Sequence, residues 1–251
     1  MKRFTALVVM ICLLAAAVGC SPSEDDDDAH SITVYAAASL KNAFTDIGEQ
    51  FKKDNPGESV EFIFAGSSDL VTQLAQGAKP DVFASADANM ERAQQARLIA
   101  RDPVNFATNT LTIVTAPGNP KGIVYFADLN RPGISVAVCA SEVPCGAATD
   151  RIERATHVEL KPVSEVSSVT DVINKVTSGQ ADAGVVYVTD ALAAGDKVAS
   201  VNFAESSVAV NTYQIAVLKD APNPDLATQF VDLVTGDYGQ KALKKAGFAK
   251  P

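Results

Sequence analysis

The chain has 251 residues, of which 47% are hydrophobic and 20% are charged, with 21 basic and 30 acidic side chains and a formal net charge of −9. This acidic balance, without a basic patch in the sequence, argues against nucleic acid as a partner. An anionic ligand would have to be held by local dipoles against an unfavourable overall field.

The amino terminus has the features of a secretion signal. Lys2 and Arg3 precede an apolar run from Phe4 to Gly19. This run is shorter than the roughly 20 residues that a final membrane span needs, and a polar, acidic stretch follows it at once. We therefore predict a signal peptide over residues 1–19 that is removed on export.

Cys20 follows small residues in a pattern that resembles a lipobox, in which the cysteine becomes the lipidated first residue of the mature chain. An ordinary signal with an incidental cysteine is the alternative. The acidic run 24–28 has no apolar partner, so residues 20–30 are predicted to form a solvated tether. The expected location is extracytoplasmic, with a lipid anchor that holds the protein to the cell membrane.

Two cysteines remain for the folded body once Cys12 is removed and Cys20 is acylated. These are Cys139 and Cys145. An oxidising compartment favours a disulfide between such a close pair. Two free thiols are the alternative, because the sequence does not show whether the Cβ geometry fits.

Short apolar runs alternate with amphipathic stretches from residue 31 onward, which predicts an α/β fold with mostly parallel strands. In the first helix, Leu40, Phe44, Ile47 and Phe51 share one face, and the helix should end before Asn55. The predicted strands are Ile32 to Ala36, Ser59 to Ala65, Asp81 to Ala84, Leu111 to Thr115, Gly122 to Tyr125, Ile134 to Val138, Ala183 to Val188 and Tyr213 to Leu218. The other predicted helices are Ser68 to Gln76, Asn89 to Ile99, two that start near Cys145 and Ser168, Asp225 to Val234 and Tyr238 to Ala246.

The folded part should comprise two lobes, since about 220 residues follow the tether and are enough for two cores. The sequence has no internal repeat and no long linker, so the second lobe must be made by the chain crossing over and back. We place the crossings near 108–110 and 210–212. Residues 31–109 together with 212–251 then form lobe I, and residues 110–211 form lobe II.

Several turns between a strand and a helix carry a serine or a small residue where the helix should begin. They include Ser39, Ser67, Cys145 and the pair Ser168 and Val169. A helix amino terminus leaves N–H groups unpaired and carries a partial positive charge, which suits an anion. Taken singly, Ser39 and Ser67 are each better explained as helix caps. Val169 fits the apolar helix face, so only its backbone N–H could bind.

An enzyme finds little support in the sequence. There are two histidines: His30 lies in the tether, and His157 has no serine or cysteine motif associated with it. Motifs for a nucleophile elbow, a phosphate loop or a zinc site are absent from the sequence. We therefore expect a protein that is not an enzyme and that needs no cofactor and no metal beyond a bound ligand.

Four motifs together resemble the molybdate-binding proteins of ABC importers, which have the two-lobe, type II periplasmic-binding-protein fold. The motifs are Ile32 to Leu40, Phe64 to Ser68, Pro80 to Asp87 and Gly184 to Tyr187. The similarity covers essentially the whole chain after the tether, with the same order and similar spacing. It implies mostly parallel sheets flanked by helices, with the ligand in the cleft between the lobes.

The resemblance also implies a set of ligand-binding residues. In that family two serines, two backbone amides and one tyrosine hydroxyl hold the oxyanion. Carried over by motif, these are Ser39, Ser67, the N–H groups of Cys145 and Val169, and the hydroxyl of Tyr187. A core tyrosine that ends a buried strand is the alternative for Tyr187. A disulfide at Cys145 would lie beside the ligand.

The function that the resemblance implies is capture of molybdate or tungstate and delivery to the permease and ATPase subunits of an ABC importer, by a monomer. A site made only of donors should reject a protonated phosphate, because its O–H group would lack an acceptor. Sulfate would have to be rejected by size. The alternatives are a transport protein for sulfate or another oxyanion and, from another class, an interaction protein without a small ligand.

Overall fold

The computed structural model describes residues 30–86 and 88–251. The predicted signal peptide, the lipidation site Cys20, nearly all of the tether and Asp87 lie outside the described residues. Within the described part, no helix is both long and apolar enough to cross a membrane.

Ten strands form two five-stranded sheets in the described part of the chain. They are β1 (Ser31–Ala37), β2 (Ser59–Ala65), β3 (Val82–Ala86), β4 (Val104–Asn109), β5 (Leu111–Thr115), β6 (Val136–Cys139), β7 (Ser164–Val166), β8 (Ala183–Tyr187), β9 (Ala199–Val201) and β10 (Asn211–Val217). The first sheet has the order β2-β1-β3-β10-β4, and the second has the order β7-β6-β8-β5-β9. The chain passes from the first sheet to the second between Asn109 and Leu111, and it returns to the first at Asn211.

Eight α-helices cover the sheets over these same residues. They are α1 (Lys41–Asp54), α2 (Ser67–Ala75), α3 (Asn89–Gln95), α4 (Pro144–Thr156), α5 (Val169–Thr177), α6 (Val188–Ala194), α7 (Pro224–Thr235) and α8 (Asp237–Lys245). A 3-10 turn, Ala38–Leu40, precedes α1, and other 3-10 turns lie at Phe126–Asn130, Gly195–Lys197 and Ala204–Val208. The predicted two-lobe α/β class is confirmed.

Strand pairing is mixed rather than mostly parallel, which corrects one part of the prediction. In the first sheet β1 pairs in parallel with β2 and β3, whereas β10 runs antiparallel to β3 and β4. The second sheet repeats this pattern, with β5 antiparallel to β8 and β9. The antiparallel strands β5 and β10 each enter their sheet from the other sheet, so no helical crossover within one sheet sets their direction.

The predicted strand from Gly122 to Tyr125 is wrong, because this stretch is irregular backbone that follows a turn. Gly122 has a φ of 57°, in the left-handed region. The carboxylate of Asp128 accepts hydrogen bonds from the N–H groups of Val124 and Tyr125 at 2.7 and 3.0 Å. The Asp128 side chain thus caps the start of the 3-10 turn, and these two amides are not available to a β-ladder.

The helix predicted from Asn89 to Ile99 ends earlier, at Gln95. Arg97 takes a left-handed conformation with a φ of 58°, which terminates the helix. Ile99 then forms an isolated bridge with Leu218, beside β10. Strands β4, β7 and β9 and helix α6 were not among the predicted elements.

The two lobes are packed differently. In the first, an aromatic cluster fills the space between sheet and helices, with the rings of Phe62, Phe106 and Phe230 centred within 6.2 Å of the ring of Phe44. The second core is mostly aliphatic and holds the ring pair of Phe126 and Phe203. Each lobe has its own buried core, so the region between them is available for a ligand site.

Candidate functional site

One small cavity lies between the two sheets, and all five predicted ligand-binding residues line it. The space inside is about 260 Å³, part of it open to solvent. Its walls are formed by Ala37, Ala38, Ser39, Ala65, Gly66, Ser67, Ala86, Pro144, Cys145, Ser167, Ser168, Val169 and Tyr187. These lining residues include no acidic and no basic side chain, so the cavity offers neutral polar groups in an apolar frame.

The first wall consists of two serines at the ends of adjacent parallel strands. Ser39 follows β1 in the 3-10 turn, and Ser67 is the first residue of α2 after β2. Because β1 and β2 are paired up to Ala37 and Ala65, their carboxyl ends lie at the same edge of the sheet. Ser67 is 2% exposed, and its Oγ accepts a hydrogen bond from the N–H of Ala86 at 3.1 Å. Each serine is thus held by its own lobe.

The second wall consists of the starts of two helices. Cys145 is the second residue of α4, and Val169 is the first residue of α5. The N–H groups of a first helical turn have no acceptor within the helix, and they sit at the positive end of its dipole. Ser168 caps α5 by accepting a hydrogen bond from the N–H of Asp171. This wall can therefore offer main-chain donors to an anion.

A disulfide joins Cys139 to Cys145, with their Cα atoms 5.7 Å apart. It links the end of β6 to the first turn of α4, directly beside the cavity. At Gly146 an added Cβ would overlap the carbonyl oxygen of Ala140, so this turn is packed too closely for any side chain. The position of the Cys145 amide is therefore set by a covalent bond and by close backbone packing.

Tyr187 ends β8 and closes the cavity from the second lobe. Its side chain is buried, and its hydroxyl accepts a hydrogen bond from Asn211 Nδ2 at 2.6 Å. Asn211 Oδ1 in turn accepts a hydrogen bond from Arg151 Nη2 at 2.7 Å. The rings of Tyr187 and Tyr213 meet edge to face, 6.1 Å apart. The tyrosine is thus held by polar contacts and by ring packing.

Tyr213 lies behind the cavity and contacts two of its lining residues, whereas the sequence pattern placed it only in a strand. Its side chain is fully buried, and its hydroxyl lies 2.8 Å from Ser39 Oγ and contacts the side chains of Asn109 and Tyr187. Asn109 also donates to Thr189 Oγ1 at 2.7 Å. Burial raises the pKa of Tyr213, so this hydroxyl keeps its proton. Polar residues at the two crossings were the only signal in the sequence that could have pointed to this network.

Asp190 lies beneath Tyr187 on α6. Its carboxylate accepts a hydrogen bond from the N–H of Tyr187 at 3.2 Å. Burial raises the pKa of Asp190 to about 7, because the charged form loses its hydration. The carboxyl group is therefore an acid that titrates close to neutral pH.

The two walls touch each other beside the cavity. Ser68 Oγ donates to the carbonyl oxygen of Glu142 at 2.8 Å, which links α2 of the first lobe to the second lobe. A Cβ added at Gly66 would overlap the carbonyl oxygen of Ser167 on the opposite wall. The structure therefore represents a closed arrangement, in which the backbones of the two lobes are in contact.

The histidines do not contribute to this cavity. The imidazole of His30 pairs with Glu58 at the surface, and His157 ends α4 in a left-handed conformation. Across the described residues, no group of three or more His, Cys, Asp or Glu side chains is arranged to hold a metal ion.

Comparison with known proteins identifies the class. Residues 32–249 match the model of the family described as bacterial extracellular solute-binding protein. The match spans nearly all of the described residues, so the chain belongs to this family of extracellular solute-binding proteins.

Within this class the chain belongs to the family of molybdate-binding protein ModA. The protein of that name from Mycobacterium bovis is 57% identical over 252 residues, which cover 97% of this chain and 97% of that protein. The structure resembles the periplasmic molybdate-binding protein of Azotobacter vinelandii, with a TM-score of 0.73, 22% identity, and coverage of 88% of this chain and 99% of that chain. The predicted family resemblance is confirmed.

A sulfate binder has nearly the same fold. The sulfate-binding protein SubI from Mycobacterium tuberculosis matches with a TM-score of 0.70 and 23% identity, covering 88% of this chain and 86% of that chain. Since one fold serves both kinds of protein, the fold does not decide the solute. The groups that line the cavity must decide the solute.

Proposed function

We propose that this protein captures molybdate, and tungstate equally, between its two lobes and delivers it to an ABC importer. The observation that carries the proposal is the convergence of Ser39, Ser67, Cys145, Val169 and Tyr187 on one cavity that contains no charged side chain. Hydroxyl and amide groups can all donate to a fully deprotonated tetrahedral anion. Membership of the ModA family supports the same solute.

Neutral donors are sufficient for tight binding. A well-placed helix amino terminus contributes up to about 2 kcal/mol, and each hydrogen bond to a charged group contributes about 1.5–3 kcal/mol. These contributions oppose the large cost of removing water from a dianion. A micromolar complex needs roughly −8 kcal/mol, which five such donors can supply.

Binding would favour the closed arrangement, because the five donors come from both lobes. Ser39 and Ser67 belong to the first lobe, whereas Cys145, Val169 and Tyr187 belong to the second. An anion that bridges the walls gains all five contacts only when the lobes are together. The permease would then recognise the closed form, and the ATPase would drive transport.

The proposal includes a lipid anchor at Cys20 and a location outside the cytoplasm. Membership of an extracellular solute-binding family supports the location. The lipobox-like pattern before Cys20 supports the anchor. We also propose that the protein acts as a monomer and is not an enzyme, since relatives with this fold are named as binding proteins.

Thermal unfolding of the full chain in detergent tests the solute directly. Molybdate, tungstate, sulfate and phosphate are compared in parallel at the same ionic strength. A ligand that binds only the native state at about 100 times its dissociation constant should stabilise it by roughly 2.7 kcal/mol. We expect this shift with molybdate and tungstate alone. The Ser67→Ala variant should lose about half of it, whereas Ser178→Ala, at the exposed end of α5, should keep all of it.

Other outcomes would change the proposal in defined ways. A shift with sulfate instead of molybdate would keep the transport role and overturn the solute. If none of the four anions shifts the unfolding temperature, an interaction protein built on the same scaffold becomes the better explanation.

A further inference from the structure

Behind Tyr187 lies a series of hydrogen bonds that connects the second lobe to β10. It joins Arg151, Asn211 and Tyr187. Asn211 begins β10 and is completely buried. Its Oδ1 accepts from Arg151 Nη2 at 2.7 Å, and its Nδ2 donates to Tyr187 Oη at 2.6 Å and to the carbonyl oxygen of Pro144 at 3.2 Å. A buried amide with these three partner atoms is held in one orientation.

Two of these partners fix which end of the amide faces Tyr187. Arginine has donors only, so the group that faces Arg151 must be the oxygen of the Asn211 amide. The carbonyl of Pro144 accepts only, so the group that faces it must be the NH2. Both constraints give the same orientation, in which the NH2 of Asn211 points at the hydroxyl of Tyr187.

This orientation determines what Tyr187 can do in the cavity. A hydroxyl that accepts a hydrogen bond from an amide directs its own proton toward another acceptor. Here the candidates are the Tyr213 hydroxyl, which contacts Tyr187, and a ligand in the cavity that Tyr187 lines. A dianion is by far the stronger acceptor of the two, so it takes the proton when it binds.

We propose that Arg151 and Asn211 are a positioning pair that holds the Tyr187 hydroxyl as a hydrogen-bond donor, and so makes the site select tetrahedral anions that carry no proton. This inference rests on the proposed function. A protonated anion such as hydrogen phosphate would need an acceptor in the cavity, and the pair keeps the tyrosine oxygen occupied. The two serine oxygens are engaged as well, since Ser67 Oγ accepts from the N–H of Ala86 and Ser39 Oγ is hydrogen-bonded to Tyr213 Oη. Leaving a buried O–H without a partner costs enough to exclude such a ligand.

The sharpest test is the Asn211→Asp variant, which keeps the shape of the side chain and replaces the NH2 by an oxygen. The carboxylate retains Arg151 as a partner, but it accepts from Tyr187 and draws the hydroxyl proton away from the cavity. We expect calorimetric titration of the full chain in detergent to show molybdate affinity reduced roughly 10- to 100-fold. Phosphate should compete better against molybdate than it does in the unmodified chain, and increasingly so as the pH falls and phosphate gains its proton.

Gln214→Glu is the matched control for the added negative charge. It makes the same amide-to-carboxylate change on the same strand, where the side chain bonds to Asn105 at the exposed side. Molybdate affinity and phosphate competition should both remain within about twofold of the unmodified chain, a change below 1 kcal/mol.

Tyr187→Phe separates a positioning role from damage to the fold. With no hydroxyl to reorient, adding Asn211→Asp to Tyr187→Phe should weaken molybdate binding far less than Asn211→Asp does alone.

Arg151→Lys should preserve binding and selectivity, because it retains a charged donor, whereas Arg151→Met should relax the rejection of phosphate.

Unmodified affinity and selectivity in Asn211→Asp would overturn the positioning pair while leaving the proposed function intact. Losses that are the same with and without the Tyr187 hydroxyl would also overturn it. If the unmodified chain binds no molybdate, the proposed function and this inference both fail.

Discussion

The two walls of the cavity use different parts of the chain for the same purpose. The first wall presents the side chains of Ser39 and Ser67, whereas the second presents the main chain at Cys145 and Val169 together with Tyr187. The serines are held by hydrogen bonds alone, but the second wall is also held by a disulfide. A side-chain donor can be deleted by substitution, whereas a main-chain donor can only be displaced. The walls therefore call for different tests.

The largest effect should come from keeping the walls apart. In Gly66→Ala the new Cβ would overlap the carbonyl oxygen of Ser167 on the opposite wall. Overpacking of this kind costs about 1–3 kcal/mol, so molybdate affinity should fall up to roughly 100-fold. Calorimetric titration measures the loss, and small-angle scattering should show a more open form with ligand present. Unchanged affinity would mean that closure does not bring these backbones together.

Removing one donor from the first wall should have the next largest effect. Ser67→Ala deletes a hydroxyl from the cavity and leaves the N–H of Ala86 without this partner. We expect about a 10-fold loss of molybdate affinity and about 1 kcal/mol of unfolding free energy. Titration and chemical unfolding measure the two losses separately. A stability loss without a change in affinity would assign Ser67 to the fold and not to the ligand.

Releasing the second wall should act mainly on stability. Replacing Cys139 and Cys145 together by serine removes a short covalent loop, which should cost roughly 2 kcal/mol of unfolding free energy. Molybdate affinity should fall only a few-fold, because the α4 amides remain at a helix start. Chemical unfolding and titration of this double variant, with the reduced unmodified chain as control, provide the measurement. A loss as large as that of Gly66→Ala would show that the bridge is essential for the shape of this wall.

The smallest effect concerns the acid beneath Tyr187. The pKa of Asp190 is raised from 3.8 to about 7, so the native state holds this proton more tightly than the unfolded state does. Its contribution to stability therefore falls as the pH rises from about 4 to about 7, and it stays reduced above that range. Asp190→Asn removes this buried charge, so it should be more stable than the unmodified chain at pH 8. The gain should be only on the order of 1 kcal/mol, because the residue is partly exposed to solvent. Unfolding curves at pH 5 and pH 8 should show the advantage shrinking at pH 5.

The elements that sequence reasoning found best are those whose apolar pattern agrees with their final environment. The predicted strands Ser59 to Ala65 and Leu111 to Thr115 agree with β2 and β5 at both ends. Gly122 to Tyr125 was wrong because Asp128 takes the amides that a strand would need. Strand β4 was not predicted because three of its six residues are polar. It forms a strand because β10 pairs with it.

The sequence by itself determined the class of fold and the helix starts where donors are found, because these depend on local patterns of apolar residues, serines and glycines. Only the tertiary structure decided which groups stand behind those donors. Tyr213 meets Ser39 across 174 positions of sequence, and Arg151 meets Asn211 across 60. No local pattern encodes such pairs, since they exist only after the chain has crossed between the lobes and returned.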